Sequence, residues 1–102
     1  MTTLRIENTV TDYDDWKAAF DSYAAVRKRM GVRFYRITRN TADDHQVFVE
    51  LDFPDREKAE IFLTFLTDKV WRTPRSRALL TEHHQPRFLE LVDAAAIVAE
   101  AS

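Results

Sequence analysis

The sequence predicts an α+β domain of two layers, a four-stranded antiparallel sheet with helices on one face, and three observations carry that expectation. A strand–helix–strand pattern occurs twice in succession within 102 residues. Its strands alternate polar and apolar side chains with a period of two, which gives the sheet two unlike faces. Its helical stretches repeat apolar residues at spacings of three and four, a stripe that can cover one of those faces and not the other.

Residues 4–10 form the first strand, with Leu4, Ile6, Asn8 and Val10 on one parity and Arg5, Glu7 and Thr9 on the other. Asp12 is placed to cap a helix over 13–30, with Asp14 and Asp15 in its positive first turn and Trp16, Ala19, Phe20, Tyr23 and Met30 as its stripe. Gly31 suits a left-handed C-terminal cap, after which 32–39 return as the second strand. Residues 40–45 are short and polar, fitting a hairpin into the third strand at 46–53. Asp55 caps a second helix over 55–71, buried through Ala59, Phe62, Leu63, Leu66 and Val70. Thr73 and Pro74 start a separate short helix at 74–80. Pro86 precedes the fourth strand at 87–92. Residues 1–93 thus read as one ferredoxin-like βαββαβ domain, and 94–102 as an alanine-rich tail that forms a weak helix or frays.

Composition excludes several function classes. The chain has 15 basic and 17 acidic residues, interspersed, for a net charge of -2, so it presents no electrostatic footprint for nucleic acid or an acidic membrane. Zero cysteines excludes thiolate catalysis, disulfides and cysteine-ligated metal sites. A single glycine, Gly31, cannot build a P-loop or a dinucleotide-binding turn. None of Ser22, Ser76 and Ser102 has the context of a serine nucleophile. No apolar run is long enough for a signal peptide or a bilayer span, so a cytoplasmic location is the expectation.

With the helices on one face, Leu4, Ile6, Val10, Val47, Val49, Leu51, Leu89 and Leu91 are expected beneath them. Arg5, Glu7, Phe48, Glu50, Phe88, Glu90 and Val92 would share the opposite face, joined by Phe34 and Arg36 or by their neighbours. Mixed charge and phenylalanine there suggest cover by a second copy of the chain.

Three segments carry a resemblance. They are the Asp-Tyr-Asp-Asp-Trp-Lys run within 10–20, the Gly31-Val32-Arg33-Phe34-Tyr35-Arg36 turn, and Phe53-Pro54-Asp55 leading to Ala59-Glu60-Ile61-Phe62-Leu63. Here the chain resembles the dimeric α/β-barrel superfamily, in particular small antibiotic-biosynthesis-monooxygenase-like and cyclase-like proteins. The resemblance implies a homodimer with two sheets packed face to face, and a ligand in each protomer between sheet and helices. It implies no cofactor and an apolar or aromatic small molecule. The activity it implies is cofactor-independent monooxygenation or cyclisation of an aromatic or polyketide-like compound.

The candidate site residues follow from that frame. Asn8 interrupts the apolar parity of strand one, where it is either a polar handle in a ligand pocket or a strand-end residue bonded to nearby backbone. Trp71 and Tyr35 are taken with it as candidate catalytic residues, and Trp16, Phe20, Tyr23 and Phe62 as ligand-binding, although aromatics at these spacings are more often core. His83 and His84 complete the set. Some haem-degrading members of the superfamily place an asparagine, a tryptophan and an iron-binding histidine in this order, so a haem-binding or haem-degrading protein is the alternative; exposed loop histidines are the plainer explanation. Glu7, Glu50, Asp52 and Glu90 could serve as acid and base, yet Arg5 and Arg36 make structural ion pairing the simpler account. His45 with His83 or His84 has no regular metal-ligand spacing, so no metal is expected. Arg72, Arg75 and Arg77 form a basic cluster beside the short helix. A non-enzymatic ligand-binding or structural dimer is the remaining reading.

Overall fold

The computed structural model describes residues 1–82 and 84–99. The order of elements is β1 (Thr2–Val10), α1 (Tyr13–Asp21), α2 (Ala24–Arg29), β2 (Phe34–Asn40), β3 (Asp43–Phe53), α3 (Arg56–Phe65), α4 (Pro74–Leu79), β4 (Leu80–Glu82) and β5 (Arg87–Glu90). The strands form one antiparallel sheet, with β1 flanked by β3 on one edge and by both β4 and β5 on the other, and β2 outside β3. The architecture is the expected ferredoxin-like α+β arrangement with helices on one face.

β1 and β3 are the two inner strands, and both alternate buried and less buried side chains along their paired length. Leu4, Ile6, Asn8 and Val10 are buried, and their register partners Leu51, Val49 and Val47 on β3 are buried with them. Phe53 extends this parity and packs tilted against Phe62 of α3 with the ring centroids 5.4 Å apart, while Ala59 lets that helix approach closely. Full burial of each large apolar side chain contributes about 1.5–3 kcal/mol.

The expected continuous helix over 13–30 is broken. Tyr23 N–H donates to Phe20 O rather than to the carbonyl four residues back, and Ser22 Oγ donates to Ala19 O, which ends α1. The Arg27 guanidinium also donates to the Phe20 carbonyl, a second donor beside the Tyr23 N–H in place of the Ala24 N–H of a continuous helix. α2 ends as the glycine predicts. Gly31 has φ +93°, its N–H donates to Lys28 O, and Val32 N–H donates to Arg27 O, the paired bonds of a Schellman motif.

The second helix is also shorter than expected. α3 stops at Phe65 and the chain continues as a π-helical turn over Leu66–Val70, closed by a 2.8 Å bond from Trp71 N–H to Leu66 O. Thr73 caps α4 by accepting the Ser76 N–H at 3.2 Å, with Pro74 in the first turn.

The fourth position in the sheet is filled by two short strands. β4, expected as loop, pairs with Thr9 and Val10; β5 pairs with Thr2 through Arg5. This split resets the register beyond Pro86. Phe88 faces Leu4 and packs on the helix-side core, whereas Leu89 faces Thr3 on the outer side and is 39 % exposed. The expected parity of the last strand is therefore reversed, and Glu90, opposite Thr2, does not share the outer face with Arg5 and Glu7. On β2, Phe34 and Arg36 take the outer face, opposite Asp52 and Glu50. Residues 91–99 are exposed and have no regular structure, so of the two expectations for the tail, a weak helix or fraying, the helix is absent over the described part.

Two predictions concern these ends. A Cβ at position 31 would sit in left-handed backbone and meet Lys58 Cδ at 3.0 Å, a flexible chain that can move aside. The backbone term dominates, so Gly31→Ala should lower stability by about 1–2 kcal/mol, read as a lower urea midpoint with unchanged m. Asp55 accepts the Lys58 N–H at 2.9 Å, and this bond, aided by the Lys58 ammonium, holds its carboxyl below the ordinary carboxylate range. A depressed folded-state pKa means the stabilisation is present above the unfolded-state value and lost as pH falls through the folded one. Thermal melts of Asp55→Ala and wild type should therefore differ at neutral pH and converge in acid.

Candidate functional site

Between the sheet and the helices lies a cavity of about 90 Å³. β1 supplies Ile6 and Asn8 to its floor, and α1 with α2 supply Trp16, Phe20, Tyr23 and Arg27 as one wall. α3 and its π-helical turn bring Phe62 and Val70 against the other wall, with Trp71 just beyond. The aromatic rings hold each other in place, Trp16 on Phe20 at 5.3 Å and Tyr23 edge-on to Phe65 at 6.3 Å. The lining is predominantly apolar, so the two buried polar residues stand out: Asn8 and Arg27 are each only 6 % exposed.

Asn8 has the helix-facing parity that its position in β1 dictates. Among the described residues no group hydrogen-bonds its side chain, and no buried side-chain nitrogen or oxygen is sealed off without a partner. Its amide is therefore open to the cavity that it lines, and the backbone-bonded alternative for this side chain is not what is observed.

A second chamber of about 280 Å³ adjoins the first and shares Ile6, Asn8, Trp71, Ser76 and Leu80 with it. It lies where β4 ends and β5 has not begun, beside a stretch of β1, residues 6–8, with which neither short strand pairs. Glu7, Arg77, Glu82 and His84 give this outer chamber a polar rim. His84 Nε2 lies 2.9 Å from Thr9 Oγ1 and its Nδ1 lies 3.3 Å from Glu7 Oε2, while Gln46 Nε2 donates to the same Glu7 oxygen at 3.0 Å.

The expected site residues divide accordingly. Asn8, Trp16, Phe20, Tyr23, Phe62 and Trp71 line the inner cavity, and His84 joins Asn8 and Trp71 around the outer one. Tyr35 lines neither chamber; it sits on the edge strand, 39 % exposed, with its ring edge-on to Phe20 at 5.1 Å. His83 lies outside the described residues. His45 is turned away, its Nδ1 2.8 Å from the Val10 carbonyl, and no cluster of three metal-ligating side chains occurs among the described residues. Glu50 pairs with Arg36 at 3.2 Å, the ion pairing expected of these carboxylates, whereas Asp52 accepts from the Thr3 hydroxyl and Arg5 lies over the Phe48 ring. For haem, both ring nitrogens of His84 are directed at Thr9, Glu7 and Glu82, so that imidazole presents no free nitrogen to an iron.

Arg27 is the site residue that the sequence reading omitted. Its guanidinium lies 3.8 Å over the Phe20 ring and 5.2 Å from the Tyr35 ring, and burial pushes its pKa down from the ordinary value. The signal was present in the spacing, since 16, 20, 23 and 27 continue one helical stripe, but a basic residue in a last turn reads first as a dipole partner.

No family model matches the chain, and no curated relative matches it. Solved structures do. SnoaB, a cofactor-independent oxygenase from Streptomyces nogalater, superposes with a TM-score of 0.69 at 18 % identity over 91 % of this chain and 94 % of that one. An antibiotic biosynthesis monooxygenase superposes with a TM-score of 0.60 at 10 % identity, covering 91 % of this chain and all 100 % of its own. A dimeric ferredoxin-like protein from an uncultured marine organism gives 0.53 at 18 % identity over 86 % of this chain and 87 % of that chain. No helix among the described residues is long and apolar enough to cross a membrane. At these identities the likeness is one of fold: the chain has the ferredoxin-like fold shared by antibiotic biosynthesis monooxygenases.

Proposed function

We propose that the protein is a cofactor-independent oxygenase of enolisable aromatic compounds, working as a homodimer. The observation that carries this reading is the Asn8 amide, buried, without a partner among the described residues, and open to an apolar chamber between sheet and helices. The fold shared with a cofactor-independent oxygenase supports it.

The chemistry asks little of the protein beyond placement. An aromatic ketone with an acidic methylene, such as anthrone, loses a proton to give an enolate. The enolate passes one electron to dioxygen and the resulting radical recombines with superoxide as a peroxide anion, which takes back the proton lost in the first step to become a hydroperoxide. Loss of water from the hydroperoxide leaves a new carbonyl, so one O₂ yields one quinone oxygen and one water. Asn8 Nδ2 donates to the enolate oxygen as charge builds there, which is where a preorganised donor in a dry site acts most strongly. The ring packs among Trp16, Phe20 and Phe62, and the proton leaves toward the outer chamber, where the His84–Glu7 pair receives it.

Dimerisation is read from the outer face of the sheet. Phe34 is 60 % exposed there, and Arg5 lies over the Phe48 ring at 4.7 Å beside the Arg36–Glu50 pair. A face of this mixed character fits an isologous contact with a second sheet.

Protein stripped of flavin and metal should oxidise anthrone to anthraquinone with one O₂ consumed per product. Asn8→Ala should lower kcat about 10²-fold with the fold retained by circular dichroism; turnover no faster than the uncatalysed reaction, or untouched by the substitution, would refute the assignment. Light scattering should give about twice the 12.0 kDa chain mass, and Phe34→Glu should return it to the single-chain value. A monomeric wild type would sink the dimer.

A further inference from the structure

We propose that Arg27 makes the inner cavity a site for a planar aromatic oxyanion, a ring bearing a carboxylate or phenolate, with Arg27 and Asn8 as the two groups that recognise the charge.

Three observations converge on this residue. Arg27 is 6 % exposed, yet among the described residues no carboxylate lies within ion-pair distance of it. A guanidinium carries five N–H donors, and one protein acceptor is seen for them, the Phe20 carbonyl. The cation also lines the cavity itself, alongside an amide that is likewise open to it. A buried charge is costly, and guanidinium stays charged at any ordinary pH; Asp21 acts on it only from beyond ion-pair distance, so an anion entering the cavity would be its first direct counter-ion. The aromatic faces of Phe20 and Tyr35 offset part of that cost by cation–π contact, at 3.8 and 5.2 Å.

The geometry also selects the shape of the anion. Arg27 comes from the helix layer and Asn8 from the sheet, so charge recognition is available from both walls, while Trp16, Phe20 and Phe62 require a flat apolar body between them. An oxyanion held here deepens the oxygenase reading, on which it rests, because the same cation would favour the enolate over its neutral parent and so draw the substrate toward the form that reacts with O₂.

The test uses the full chain and paired probes, followed by quenching of tryptophan fluorescence, since Trp16 and Trp71 both line the cavity. 1-Naphthoate should bind about tenfold or more tightly than its neutral isostere naphthalene-1-carboxamide. Arg27→Met should abolish the preference and Arg27→Lys should keep part of it, both with wild-type circular dichroism. 2-Naphthol distinguishes phenolate from carboxylate: bound to wild type it should show the naphtholate absorption band at a pH at least one unit below that needed in free solution, and bound to Arg27→Met it should not. Equal affinities for naphthoate and the amide, affinity for neither, or a preference that survives in Arg27→Met each overturns the assignment. Where Arg27→Met does not fold, the wild-type pair alone gives the answer. Naphthoate preference without anthrone turnover removes the oxygenase reading and leaves the anion site; turnover without the preference does the reverse.

Discussion

Once Leu4 seats beneath the helices, every other residue of β1 must follow it, and this single parity governs what the molecule can become. The register with β3 carries the alternation across the sheet, so Val47, Val49 and Leu51 are committed to the same side. Asn8 is committed as well, because a one-residue slip would expose the whole apolar set to gain one solvated amide. A polar side chain thus sits in the core layer by mechanical necessity, and the cavity in front of it keeps it from being an uncompensated loss.

The helix layer answers that constraint with a break. Were α1 and α2 continuous, the Phe20 carbonyl would be held within the helix and Arg27 would have no acceptor on that wall. The turn at Ser22 and Tyr23 leaves the Phe20 carbonyl with the Tyr23 N–H and room for a second donor, Arg27 folds back onto it, and the guanidinium ends up buried over Phe20 rather than in solvent. The break in the backbone ladder and the placement of a charge are therefore one event. The site's polar content comes from two residues on opposite layers, and each is there because of a neighbour's backbone geometry.

Much of this was legible in the sequence for a plain reason: residues such as Asp12, Gly31, Asp55, Thr73 and Pro74 act through bonds to chain neighbours, and every one of them does its expected job. The period of β1 and β3 was equally local. What escaped was decided across space. The reversed parity of Phe88 and Leu89 depends on β4 occupying part of the sheet edge and displacing the return of the chain, which no alternation within 87–92 can report. The helix break depends on Ser22 and Arg27 competing for carbonyls, and the same residues would be unremarkable in an unbroken helix. Periodicity could put Asn8 on the helix-facing side, and only the family resemblance joined Trp71 to it, whereas Tyr35, on the same face of the sheet but on the edge strand, packs edge-on against Phe20 and lines neither chamber.

The π-helical turn at Leu66–Val70 has a consequence for how such a site can drift. One residue is about 100° of rotation in a helix of 3.6 residues per turn, so the direction in which Trp71 leaves the helix layer is set by the number of residues before it and not by their identity. Loss of a single residue from that turn would swing the indole away from Asn8 while every lining side chain stayed chemically unchanged. Length, in this segment, is a heritable variable separate from composition, and two relatives with the same pocket residues could present differently shaped chambers because one of them counts differently between Phe65 and Trp71.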